Sequence, residues 1–73
     1  MVRFLIINKN GELLHSNNCF YNVIMGGFGI SLVVYKQANS AIKRANKVGG
    51  IVVQINQGEL VKEKIKETLK NML

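Results

Sequence analysis

The sequence predicts an α+β domain: a mainly antiparallel sheet of two hairpins plus one further strand, packed by two helices, in the order ββββαβα. Three observations point there. Short runs rich in β-branched and aromatic residues, separated by Asn-Gly and glycine-rich breaks, fill the N-terminal half. Apolar residues then recur at helical spacing from Ala38 to Val48. One more β-branched run follows, and a second helical pattern closes the chain. At 73 residues there is room for one small domain, residues 1–73, with no linker or repeat inside it.

Residues 2–7 read as the first strand. Asn8-Lys9-Asn10-Gly11 follows, and its Asn-Gly pair is expected to supply the positive φ angles of a tight hairpin turn. Glu12-Leu13-Leu14-His15 returns antiparallel, and Ser16-Asn17-Asn18 is a polar break. Phe20–Met25 and Ile30–Lys36 read as a second hairpin joined by Gly26-Gly27-Phe28-Gly29. Ala38, Ala41, Ile42, Ala45 and Val48 then share one helix face, opposite Asn39, Ser40, Lys43, Arg44, Asn46 and Lys47. Gly49-Gly50 is expected to end that helix in a left-handed cap. Ile51–Ile55 is a short strand, broken by Gln57-Gly58. The last helix runs from about Glu59 to Met72, its apolar face formed by Val61, Ile65, Leu69 and Met72 with Leu60, Thr68 and Leu73 alongside. Glu59, Glu63 and Glu67 each stand three positions before a lysine, which suits a solvated helix.

The economical packing sets both helices on one face of the sheet. The strands do not alternate as that arrangement requires. With Phe4 and Ile6 turned inward, Leu5 and Ile7 face outward, and Val33 and Val52 repeat the problem. Either the helices cover opposite faces or the second face packs on another copy, and a homodimer is the expectation. Residues 16–35 carry no charge over twenty positions, but Asn, Ser and Gly within them favour strands in a soluble protein over a membrane span.

Composition removes whole classes of function. The chain has one Cys, one His, no Asp, no Trp and no Pro, so it has no internal disulfide, no cofactor is expected, and an all-protein zinc site lacks ligands. A lone Cys19 fits a reducing, cytoplasmic setting. His15 and Cys19, four apart, read as a strand end and a core filler, not as a metal or nucleophile pair. Glu12 is the one acid outside the last helical segment, and no enzyme activity is expected.

Charge is uneven. The ten Lys and Arg against four Glu give a formal +6. Residues 59–73 balance four lysines with three glutamates, whereas residues 1–58 hold six cations and one acid. The first helix carries Lys43, Arg44 and Lys47 without an acid, and Lys36 just precedes it. Such a face suits phosphates, and Lys36, Lys43, Arg44 and Lys47 form the candidate nucleic-acid site. As a solvated surface, the same lysines would only keep the protein soluble, and Arg44 and Lys47 also offset the negative end of the helix dipole.

The GGFG stretch lacks the Lys-Ser/Thr ending of a P-loop and no helix follows it, so it reads as a turn. Phe28 at its tip is the candidate partner-binding residue. An exposed ring there would anchor a protein or stack on a base; a ring folded back would only cover the core. Tyr21 and Tyr35 read as packing residues with wet hydroxyls.

The stretch from Val34-Tyr35-Lys36-Gln37-Ala38 through Ala41, Ala45 and Gly49-Gly50 to Ile51-Val52-Val53, with the Phe4–Leu14 hairpin before it, resembles a pattern in small uncharacterised α+β proteins of phages and mobile elements in low-GC bacteria. The resemblance covers most of residues 2–55, has no diagnostic motif and carries over no site residue. It implies a binding role without chemistry. The expected function is a non-enzymatic binding module whose basic first helix engages nucleic acid or a nucleoprotein. The alternatives are a phage-type inhibitor of a host or anti-phage protein, such as a CRISPR or restriction effector, and a structural homo-oligomer.

Overall fold

The computed structural model describes residues 1–72; Leu73, expected beside the last helix, lies outside the described residues. The elements are β1 (Val2–Ile7), β2 (Leu13–Leu14), β3 (Phe20–Tyr21), α1 (Ala38–Val48), β4 (Ile51–Asn56) and α2 (Val61–Asn71). They form the α+β fold that the sequence predicts, with a four-stranded antiparallel sheet in the order β3-β2-β1-β4. Among the described residues no helix is long and apolar enough to cross a membrane.

β1 is the spine. It pairs with β4 along its whole length, from Val2 opposite Asn56 to Ile7 opposite Ile51. Its other edge is shared: Ile7 pairs with Leu13, and Phe4 exchanges both backbone hydrogen bonds with Tyr35, at 2.8 and 2.9 Å. Of the expected second hairpin only the tip forms, as a single bridge between Gly27 and Ile30. Phe20–Tyr21 pairs back onto Leu13–Leu14, and the 30–36 limb contributes single bridges at Leu32 and Tyr35 in place of a strand.

The helices lie on opposite faces, which corrects the one-face arrangement. Leu5, Ile7, Leu13 and Val53 pack with Ile65 of α2, joined by Val61 and Leu69. Ile6 and Leu14 pack with Ala45 of α1, joined by Val33, Val48 and Val52. A strand buried on both sides needs no polar alternation, which accounts for Phe4-Leu5-Ile6-Ile7. The second face is covered within the chain, so no partner copy is needed to bury it. Each fully buried side chain among Ile6, Ile7, Leu14 and Val53 contributes about 1.5–3 kcal/mol.

α1 approaches the sheet through Ala41 and Ala45, both buried, while Ile42, expected on the same face, is 47% exposed. Its end is a Schellman cap: Gly49 sits at φ 70° and the Gly50 amide donates to the Ala45 carbonyl at 2.8 Å. Gly50 also admits the close approach of β1, since a Cβ there would lie 2.6 Å from Ile6 Cγ2. At the first turn only Gly11 has positive φ; Asn10 does not, so the Asn-Gly pair makes a turn with a glycine bulge, not the expected two-residue turn.

Candidate nucleic-acid interface

Lys43, Arg44 and Lys47 fall within about 100° of arc on α1 at 3.6 residues per turn. Lys43 and Lys47 are exposed and Arg44 is half-buried. Lys36 is exposed but lies beyond the Gln37 N-cap, at the other end of a helix about 16 Å long. The four expected residues therefore separate: Arg44 and Lys47 line one open depression of about 480 Å³ with Asn18 and Val48, whereas Lys36 and Lys43 lie outside it.

Arg44 is held in place. Its Nη1 donates to Tyr35 Oη at 3.2 Å and its Nη2 to Asn18 Oδ1 at 2.5 Å. A guanidinium has five N–H donors in a planar fork, so donors remain for a ligand while its orientation is fixed. Asn18 is presented by a tight turn: its own amide donates to the His15 carbonyl at 2.9 Å, and its φ is 65°, which Asn tolerates better than most residues. The neighbouring Asn17 Oδ1 accepts the Cys19 amide. Asn18 and Tyr35 were not recognisable from the sequence as part of this site. Asn18 read as a polar break and Tyr35 as packing.

Acids are kept away from this face. Among the described residues the ion pairs are those of Lys64, with Glu59 at 3.4 Å and Glu67 at 3.9 Å, both around α2. Glu12 instead accepts from Asn8 Nδ2 at 2.8 Å. Among the described residues the cations of α1 thus have no ion-pair partner, whereas Lys64 of α2 has two.

His15 is fully buried and both ring nitrogens are occupied. The Met25 amide donates to Nε2 at 2.9 Å, so Nδ1 carries the proton and donates to the Leu13 carbonyl at 2.9 Å. Tyr21 packs edge-on against the ring, with centroids 4.9 Å apart. Cys19 is exposed, not in the core as expected. His15 is thus an architectural hub for the 15–25 segment. Among the described residues no three His, Cys, Asp or Glu side chains group as metal ligands.

Phe28 sits at the tip of a two-residue turn. The Ile30 amide donates to the Gly27 carbonyl at 3.0 Å, and both central residues have positive φ, 53° at Phe28 and 75° at Gly29, as a type I′ turn demands. The ring is fully exposed, which excludes the covering role. The base of this turn touches the Asn18 turn: Ser16 exchanges hydrogen bonds with Ser31, and its Oγ donates to the Gly29 carbonyl at 3.4 Å.

Comparison with protein-family models, with curated proteins and with solved structures finds no match.

Proposed function

We propose that this chain is a non-enzymatic binding module whose α1 face engages nucleic acid. The supporting observation is the Arg44–Lys47 depression, with a guanidinium fixed by Asn18 and Tyr35 and no acid set against it. A fixed guanidinium loses little freedom on meeting a phosphate, so more of its charge-assisted hydrogen bonding is realised as affinity. Lys43 and Lys47 add charge that releases counterions from a polyanion. Their side chains are exposed and touch no acid, so they are free for this role.

The test is fluorescence anisotropy with labelled DNA and RNA at several salt concentrations. Three neutralised phosphates give a log–log salt slope of about −2 on single strands and about −2.7 on a duplex. Lys43→Glu with Lys47→Glu should weaken binding at least tenfold and leave the circular dichroism spectrum unchanged, with a small drop in melting temperature because Lys47 also offsets the negative end of the α1 dipole. Arg44 is left intact in that variant because it also joins three parts of the fold. Absence of binding at low salt, or full binding by the double variant, would refute the reading.

A further inference from the structure

We infer that Phe28 is a base-stacking platform and that the nucleic acid taken by this surface is single-stranded. This rests on the α1 reading above and adds the ligand's class to it.

Phe28 carries two separate costs. A phenylalanine in the left-handed region is strained, and Asn or Gly is the usual choice for the first central position of a type I′ turn. A fully exposed ring also forgoes the burial that an aromatic normally gains. Nothing in the fold compensates. Cβ atoms built at Gly26, Gly27 and Gly29 would meet no heavy atom within 4 Å, so the side-chain directions around Phe28 are open although Ser16 holds the base of the turn. The glycines on either side leave both faces of the ring open.

The ring is also joined to the cations. Ser16 contacts the base of the Phe28 turn and Asn18 holds Arg44, so the two features meet on one short turn of the chain, Ser16 to Asn18. An aromatic platform tied to a positive groove through one short turn suits an unpaired strand: bases stack on the ring while phosphates track the charge. In a duplex the base faces are covered by their neighbours, and only edges and phosphates are offered. A protein partner would use both only by bringing an acidic patch at the right distance from a pocket for the ring, whereas a single strand carries stackable bases and phosphates at every nucleotide, and it is the occupant these two features favour.

The experiment compares three labelled ligands of about a dozen nucleotides: oligo(dT), an abasic strand of equal length and charge, and a hairpin duplex. The wild-type protein should prefer oligo(dT) to both. Phe28→Ala should lower affinity for oligo(dT) about 5- to 150-fold, the span of one stacked base, and leave binding to the abasic strand unchanged. Phe28→Asn, which suits the turn, should match or exceed the wild-type melting temperature while binding oligo(dT) as weakly as Phe28→Ala. The chain has no Trp, so Phe28→Trp provides a single indole whose emission should be quenched by oligo(dT) and not by the abasic strand.

Equal affinity of wild type and Phe28→Ala for oligo(dT), or a duplex bound as tightly as the single strand, would overturn the stacking role while leaving the α1 reading standing. Failure of all three ligands to bind at low salt would overturn the α1 reading and this one with it, and would point to a protein partner for Phe28.

Discussion

Two turns of this molecule use glycine at positive φ for opposite ends. In the Asn8–Gly11 turn, Asn8 Oδ1 accepts the amides of Asn10 and Glu12 at 3.0 and 2.9 Å, and Gly11 lies under α2. A Cβ on Gly11 would stand 3.2 Å from Ile65 Cγ2 and 3.3 Å from Leu69 Cδ1. In the Gly27–Ile30 turn a Cβ on either glycine would meet nothing within 4 Å, and the ring between them is in solvent. The first turn bends the chain so that sheet and helix can close on each other. The second holds an aromatic side chain away from everything else in the fold. A turn that satisfies its own polar groups and packs needs no external reason to exist, whereas one that strains a phenylalanine and exposes it does.

The largest effect belongs to the residue that anchors the second turn's arm to the sheet. His15→Ala removes a fully buried ring together with its hydrogen bonds to the Met25 amide and the Leu13 carbonyl. The expected loss is about 3–5 kcal/mol, against a total of about 4–11 kcal/mol for a chain of this length. Urea unfolding should show a quarter or more of the stability gone, and amide exchange should accelerate first at Met25 and Ile30. A loss below about 1 kcal/mol would mean that the 15–25 segment is held by its backbone bonds alone.

Next, the two turns can be compared by the same substitution at matched φ, +80° at Gly11 and +75° at Gly29. Gly29→Ala meets only the left-handed strain and should cost about 1 kcal/mol. Gly11→Ala adds displacement of two methyl groups beneath α2 and should cost about 2–3 kcal/mol. Equal costs in urea titration would show that the contact with Ile65 and Leu69 contributes nothing, and the contrast between the turns would then reduce to Phe28.

The same contrast shows what could be read without coordinates. β1, both helices, the Gly49 cap and the acid-free face of α1 follow from local patterns, because spacing and capping are decided within a few residues. The second hairpin does not follow from local pattern, because strand pairing is decided by distant partners. Residues 31–33 pair with the 14–16 segment and Tyr35 pairs with Phe4 of β1, so the limb changes neighbour within five residues and forms only isolated bridges. The Asn10-Gly11 pair carries a hairpin signature, yet the side chain of Asn8 selects a different turn by capturing two amides. The doubly apolar run Phe4–Ile7 carries the two-sided burial, but local pattern does not say whether a second helix or a second copy of the chain covers the other face. At the candidate site the cations were legible, but Arg44 is fixed by Asn18 from 26 residues away, a separation that leaves no local trace.

The smallest effect tests whether self-capping by a side chain, as in the Asn8 turn, recurs where β4 leads into α2. Glu59 Oε1 accepts the Asn56 amide at 2.7 Å while the Glu59 amide donates to the Asn56 carbonyl at 3.1 Å. The Asn56 amide first, and the Lys64 ammonium after it, hold the Glu59 carboxyl below its usual value of 4.5. A folded-state value below the unfolded one means that the ionised carboxylate stabilises the fold above about pH 4.5 and that this stabilisation is lost as pH falls through the folded value. The group is exposed, so the effect is a modest slope in melting temperature, and the Lys64 contribution shrinks with salt while that of the Asn56 amide persists. Glu59→Gln should melt lower than wild type at pH 7, and the difference should narrow as both are titrated below pH 4.5. If the two proteins keep the same separation down to the acid end, the carboxylate charge is not what closes this turn, and only the first turn is capped by its own side chain.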